Sequence, residues 1–121
     1  MIGIGIDAVD IERFRTSLLR TPTMRERLFV AEELDYVAPK LDPVPSLAAR
    51  FAAREATMKS LGVGLGAFGF HDVWVSRLDS GVPVLRVTAR ALEIADEQGV
   101  TGWRLSLTHS DSIAMAVVAA W

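Results

Sequence analysis

Glu55 and Lys59 stand one helical turn apart in the run Arg50-Phe51-Ala52-Ala53-Arg54-Glu55-Ala56-Thr57-Met58-Lys59. At i and i+4 they share a helix face, so a metal-ligating carboxylate and a phosphate-facing ammonium can sit side by side. The same spacing also describes an ordinary surface ion pair, worth roughly a few tenths of a kcal/mol. Ala52, Ala53 and Ala56 keep the surrounding helix surface low enough for close packing or for a bulky ligand. The segment Gly62-Val63-Gly64-Leu65-Gly66 follows directly and offers backbone N–H groups to phosphate. Asp7, at the end of the first hydrophobic run, is the carboxylate best placed to join Glu55, although a polar strand end or a helix cap would explain it equally. Two hard carboxylates suit Mg²⁺, which takes one or two protein carboxylates and completes its shell with water and substrate phosphate.

Other reactive residue types carry less. His109-Ser110 falls in an expected hairpin turn, where polar residues need no functional reason. With no orienting acid beside them, they do not make a serine hydrolase. His71 reads as a surface residue. Arg13, Arg15, Arg20, Arg25 and Arg27 form a local basic excess that can recognise an acidic partner or simply solvate a helix face. Gly3-Ile4-Gly5-Ile6-Asp7-Ala8 formally fits the dinucleotide-binding fingerprint, yet only two residues precede it. The strand that must come first has no room, so these glycines lie inside a strand, where glycine marks close approach by another backbone or a ligand.

The chain has 121 residues, enough for one domain spanning 1–121. It has no cysteine, which excludes disulfides, thiolate nucleophiles and cysteine zinc sites and leaves an oxygen-liganded metal as the expected kind. A net charge of −2 argues against a general nucleic-acid field. No stretch approaches the roughly 18 apolar residues of a membrane span, and Met1 leads into a β-like run without a signal-peptide pattern, so a cytoplasmic protein is expected.

The elements that must hold these residues follow from periodicity. Ile2, Ile4 and Ile6 alternate with Gly3, Gly5 and Asp7, predicting a strand with an apolar isoleucine face and an almost bare second face carrying Asp7. Asp10 caps a helix from about 11 to 19, Pro22 ends it, and a short arginine-bearing helical segment precedes a helix over Val30 to Val37. Ser46 is expected to cap a long helix ending near Leu61-Gly62. Val73-Trp74-Val75 and Val84-Leu85-Arg86-Val87 flank the turn Asp79-Ser80-Gly81 as paired strands. Thr88 begins an amphipathic helix with Ala91, Leu92 and Ala95 on its apolar side, closed by Gly99. Trp103 to Thr108 and Ile113 to Trp121 make a final hairpin around His109-Ser110-Asp111-Ser112. This order predicts an α+β fold: a largely antiparallel sheet covered on one side by a long helix and shorter helices.

Three segments together carry a family resemblance: Gly3-Ile4-Gly5-Ile6-Asp7 with Arg13, Arg50-Phe51-Ala52-Ala53-Arg54-Glu55-Ala56 with Lys59-Ser60-Leu61-Gly62, and Leu105-Ser106-Leu107-Thr108-His109-Ser110. In order and spacing they resemble the small holo-acyl-carrier-protein synthase family of 4′-phosphopantetheinyl transferases, over nearly the whole chain. The resemblance implies a homotrimer with active sites between neighbouring subunits. It implies Mg²⁺-dependent transfer of phosphopantetheine from coenzyme A to a serine of an acyl carrier protein, in fatty acid or polyketide biosynthesis. By position, Asp7 and Glu55 resemble the metal-binding acids and, with Lys59, the catalytic set. Lys59, Arg50, Gly62, Gly64, Gly81, Pro83 and His109 resemble the coenzyme A contacts, and Arg13, Arg20 and Arg25 fall in the carrier-docking region. Two positions depart from the family: Arg54 stands where lysine is common, and Gly81-Val82-Pro83 stands where Gly-Lys-Pro is common. Arg54 keeps the charge and changes its geometry, and Val82 removes a charged nucleotide contact. A non-catalytic trimeric module that binds nucleotide or carrier protein is the second reading, and a nucleotide-dependent dehydrogenase a distant third.

Overall fold

A computed structural model describes all of residues 1–121. Strand β1 (Gly3–Asp10) leads into helices α1 (Ile11–Arg20), α2 (Met24–Leu28), α3 (Ala31–Val37) and the long α4 (Val44–Ser60). A 3₁₀ turn (Phe70–Asp72) then opens strands β2 (Val73–Arg77) and β3 (Pro83–Val87), helix α5 (Ala89–Glu97) and the hairpin β4 (Trp103–His109) and β5 (Ile113–Ala120). The strands form two separate antiparallel sheets, β1-β5-β4 and β2-β3. The expected α+β class with antiparallel pairing holds, divided into two sheets.

Helix α4 is the centre of the fold, and β1 packs on it in the opposite sense to the simple expectation. Gly5 is buried and faces α4, whereas Ile4 and Ile6 are 58% and 53% exposed. The isoleucine face therefore does not enter this chain's core. The reason is distance: a β-carbon on Gly5 would lie 1.9 Å from the carbonyl oxygen of Ala56, and one on Gly3 1.9 Å from that of Ser60. Helix and strand backbones meet there, and only glycine leaves the room. Ala52, Ala53 and Ala56 on α4 complete this close packing against Ala116 and Val118 of β5. Asp7 follows the glycines onto the α4-facing side, as alternation requires.

Other elements follow local rules. The Asp10 carboxylate accepts the Arg13 N–H at 2.8 Å, capping α1, which buries Ile11, Phe14 and Leu18 along one stripe. Ser46 does not cap α4. The helix begins two residues earlier, at Val44, whose N–H donates to the Asp42 carboxylate, and Pro45 in the first turn lacks only a donor that has no helical partner there. On α5 the buried residues are Ala91, Ile94 and Ala95, while Leu92 is exposed, because a 100° step per residue carries it off the stripe that Ala91 and Ala95 share. His109 belongs to the end of β4, not to the turn, which the Ser110 hydroxyl closes by accepting from the N–H groups of Ser112 and Ile113.

Candidate active site

Asp7 and Glu55 line one cavity of about 390 Å³, between the end of β1, α1 and the middle of α4. Its apolar wall is Phe14, Met24 and Phe51, and Arg13 stands at its edge. The Glu55 carboxylate stands apart from the ion pair beside it, in which Lys59 bonds Asp7. Burial first, and the nearby charge of Asp7 second, push its pKa upward, with Lys59 opposing. The i,i+4 ion pair allowed by the spacing does not form. Lys59 instead reaches across to β1, donating to the Ile6 carbonyl at 3.0 Å and to the Asp7 carboxylate at 3.1 Å. Residues 52 positions apart thus meet because the glycine contacts bring β1 against α4.

The carboxylate pair fits a hard divalent cation. Two carboxylates line one cavity, and the burial and, after it, the Asp7 charge that push the Glu55 pKa upward are costs that a bound cation would offset. Asp10 also lines the cavity, but its carboxylate is committed to the α1 cap. No group of three or more metal-ligating side chains gathers anywhere in the chain, so these two carboxylates are the acids the cavity offers a cation.

His109 and Arg50 lie elsewhere. They line a second cavity of about 150 Å³ with Tyr36, Lys40, Ser46 and Arg77, and no residue lines both cavities. On α4, Arg50 and Glu55 are five residues apart, about 140° around the helix axis, so one helix presents them to different sides. Gly81 is tied to the second cavity through Arg77, whose guanidinium donates to the Gly81 carbonyl at 2.5 Å. Pro83 lines a separate groove with Val82, Trp103 and Arg104. Gly62 follows the C-terminal turn of α4 with φ +69° and Gly64 lies beyond it in the loop, neither lining a larger cavity. Of the basic residues, Arg13 and Arg20 lie seven apart on one stripe of α1, whereas Arg25 lines another groove with Pro22 and Leu34.

Arg54 is not part of either cavity. It is fully buried and forms a two-pronged ion pair with Glu33, at 2.8 and 2.5 Å, while its Nε donates to the Phe70 carbonyl. Glu33 also accepts the N–H groups of Val30 and Val75. This pair ties α3, α4 and β2 together, so the departure from lysine at position 54 concerns the core and not a nucleotide contact. Tyr36, Lys40 and Arg77 escaped sequence reasoning because they come from α3, the following loop and β2, with no spacing that unites them.

A family model described as the 4′-phosphopantetheinyl transferase superfamily matches residues 3–118. The chain belongs to that superfamily. Its similarity to named members is full-length. It is 44% identical over 120 residues to the holo-[acyl-carrier-protein] synthase of Beutenbergia cavernae, covering 99% of this chain and 97% of that one. It is 47% identical over 121 residues to that of Streptomyces avermitilis, with the same coverage. Among solved structures, holo-[acyl-carrier-protein] synthase from Neisseria meningitidis superposes with a TM-score of 0.90 at 29% identity, covering 100% of this chain and 98% of that one. The Helicobacter pylori enzyme, solved in complex with coenzyme A, gives 0.82 at 28% identity, with 98% and 99% covered. These two enzymes therefore share this chain's fold over nearly its whole length.

Proposed function

We propose that this chain transfers the 4′-phosphopantetheine group of coenzyme A to a serine of an apo acyl carrier protein, releasing 3′,5′-ADP. The observation that carries the reading is the convergence of Asp7, Glu55 and Lys59: two carboxylates line one cavity, and a cation is bonded to one of them. Full-length similarity to holo-[acyl-carrier-protein] synthases supports the same chemistry.

Asp7 and Glu55 would hold a Mg²⁺ ion, which when bound neutralises charge on the diphosphate. Glu55, through an intervening water, accepts the proton of the carrier serine as its oxygen attacks the β-phosphorus. The bond from that phosphorus to the oxygen bridging to 3′,5′-ADP breaks, and Lys59 meets the charge on the departing phosphate. In the free chain Lys59 neutralises Asp7, so its half-exposed ammonium is free to exchange this partner for substrate. Arg13 and Arg20, along one exposed stripe of α1, face an acidic carrier protein, with Arg25 extending the docking surface. Gly64 offers a backbone N–H beyond Lys59, and Gly62, whose own N–H closes the helix on the Lys59 carbonyl, turns the chain toward it, while Arg50, Gly81, Pro83 and His109 hold the nucleotide end of coenzyme A.

These two groups of residues become one site when chains assemble. The outer face of β1-β5-β4 exposes Ile2, Ile4 and Ile6 beside Met115 and Val117, an apolar surface of the kind that subunits cover. A homotrimer packed on this face, acting in the cytoplasm with each chain as one domain, accounts for both the split cavities and the bare isoleucines. Mixing the protein with apo carrier protein, coenzyme A and Mg²⁺, then weighing the carrier, tests the reading. A carrier heavier by one phosphopantetheine supports it; binding without a mass change identifies a non-catalytic module instead.

A further inference from the structure

Four phenylalanines stand in a row behind the cavity that Asp7 and Glu55 line. Ring centroids lie 6.3 Å apart for Phe70 and Phe51, 5.4 Å for Phe51 and Phe14, and 6.3 Å for Phe14 and Phe29, each within the range at which aromatic pairs attract. The 3₁₀ turn, α4, α1 and the residue that closes α2 supply one ring each. Phe14 and Phe51, the middle of the row, are walls of the cavity. Phe51 stands one helical turn before Glu55 on the same face of α4.

Both ends of the row close on one side chain. Arg54 donates from Nε to the Phe70 carbonyl at 2.8 Å, and its guanidinium carbon lies 5.1 Å from the Phe29 centroid. Its other two nitrogens hold the Glu33 carboxylate, and the whole side chain is buried. A planar guanidinium meets these three partners at once, with donors spread over three nitrogens and a face free to stack on a ring. Lysine, common at this position in the family, gathers its donors on one nitrogen. An ammonium seated on Glu33 leaves the Phe70 carbonyl and the Phe29 face without a partner. Arginine at position 54 therefore clamps the row as well as pairing with Glu33.

We infer that Arg54 is a positioning residue for the acceptor half of the reaction: by clamping Phe70 and Phe29 it holds Phe51 and Phe14 in place as the surface that receives the serine-bearing segment of the carrier protein. This rests on the transferase reading. The serine has to come within reach of Glu55, so the residues flanking it lie against the apolar wall of the same cavity, with Arg13 at the edge. Arg54 lines neither cavity and touches no substrate, so its influence passes through the rings. The donor's nucleotide end is held in the other cavity, which none of the four phenylalanines lines, and the effect falls on the acceptor alone.

The test measures KM for apo acyl carrier protein and for coenzyme A separately. It compares the wild type with Arg54→Lys, Phe70→Leu, Phe70→Tyr and the Arg54→Lys, Phe70→Leu double variant, each below its unfolding midpoint. Arg54→Lys keeps the charge opposite Glu33 and is expected to raise KM for the carrier about fivefold, with kcat and KM for coenzyme A within about twofold of wild type. Phe70→Leu, which keeps the carbonyl and loses the ring, reproduces the rise, and Phe70→Tyr, which keeps the ring, behaves as wild type. Because both single changes break one path, the double variant stays at about fivefold instead of reaching about 25-fold, the product expected of independent sites. A merely structural Arg54 would lower the active fraction, and with it kcat, and leave both KM values where they are. That result, an equal rise in both KM values, or a multiplied loss in the double variant overturns the inference. If the wild type leaves the carrier unmodified in the presence of coenzyme A and Mg²⁺, the transferase reading itself has failed.

Discussion

Gly5 lies against Ala56 so closely that any β-carbon on it would stand 1.9 Å from the Ala56 carbonyl oxygen. With the matching approach of Gly3 to the Ser60 carbonyl, that contact sets the distance between β1 and α4, and with it the meeting of Asp7 and Lys59. Gly5→Ala is expected to destabilise the chain by about 3 kcal/mol, because backbone must move to admit the methyl group. Equilibrium denaturation measures the loss. A variant as stable as wild type would mean that β1 and α4 do not pack this tightly.

Asp7→Asn and Glu55→Gln should each abolish transfer while leaving the fold intact, since Glu55 bonds nothing in the chain and the Asp7–Lys59 pair is half-exposed and contributes little to stability. Carrier-protein mass and circular dichroism on the same samples check both halves. Modification at the wild-type rate by either variant removes the proposed metal and proton-transfer roles.

Metal affinity should depend on pH through Glu55. Its folded pKa is raised, so the native metal-free chain holds the proton more tightly than the unfolded chain does. Stability of that form therefore falls as pH rises through the window between the ordinary carboxylate value and the raised one. Mg²⁺ must displace the proton, so its affinity weakens as pH falls through the same window. Titration calorimetry across pH checks the sign, and Glu55→Gln should flatten the profile.

Arg54→Lys, which restores the residue common in the family, should reduce stability and leave KM for coenzyme A unchanged, because position 54 faces Glu33 in the core. Arg54→Met, which strands a buried carboxylate, should cost about 3–5 kcal/mol. Denaturation midpoints and donor kinetics measured together decide this. A changed KM at native stability would return Arg54 to the substrate site.

An Ile4→Lys, Ile6→Lys double variant should fall to monomers and lose transfer, because it places two charges on the exposed sheet face. Glu55→Gln chains mixed and reassembled with His109→Ala chains should regain roughly a quarter of the wild-type sites, if each site draws on two copies. Sedimentation and activity of the mixture provide the readout. Inactive mixtures of correctly exchanged trimers would place each site within one chain.

The order of elements was legible in the sequence because capping residues, turn glycines and hydrophobic periods act over a few residues. Asp10 before α1 and Gly81 in the β2-β3 turn are local causes with local effects, whereas the Thr88 hydroxyl caps nothing on α5 and bonds the distant Asp72 carbonyl. So was the placing of Asp7 on the glycine face of β1, opposite the isoleucines, which alternation alone dictates. The direction in which β1 packs was not legible. Hydrophobicity assigns the isoleucines to the core, and only the tertiary contact reveals that glycine's missing side chain lets the helix backbone take that place. Nor could spacing tell that Lys59 would bond Asp7 rather than Glu55, or that Arg54 would leave the site for Glu33. Those choices depend on what lies across from a helix face, and partners 21 and 52 residues away become neighbours only when the whole chain has packed.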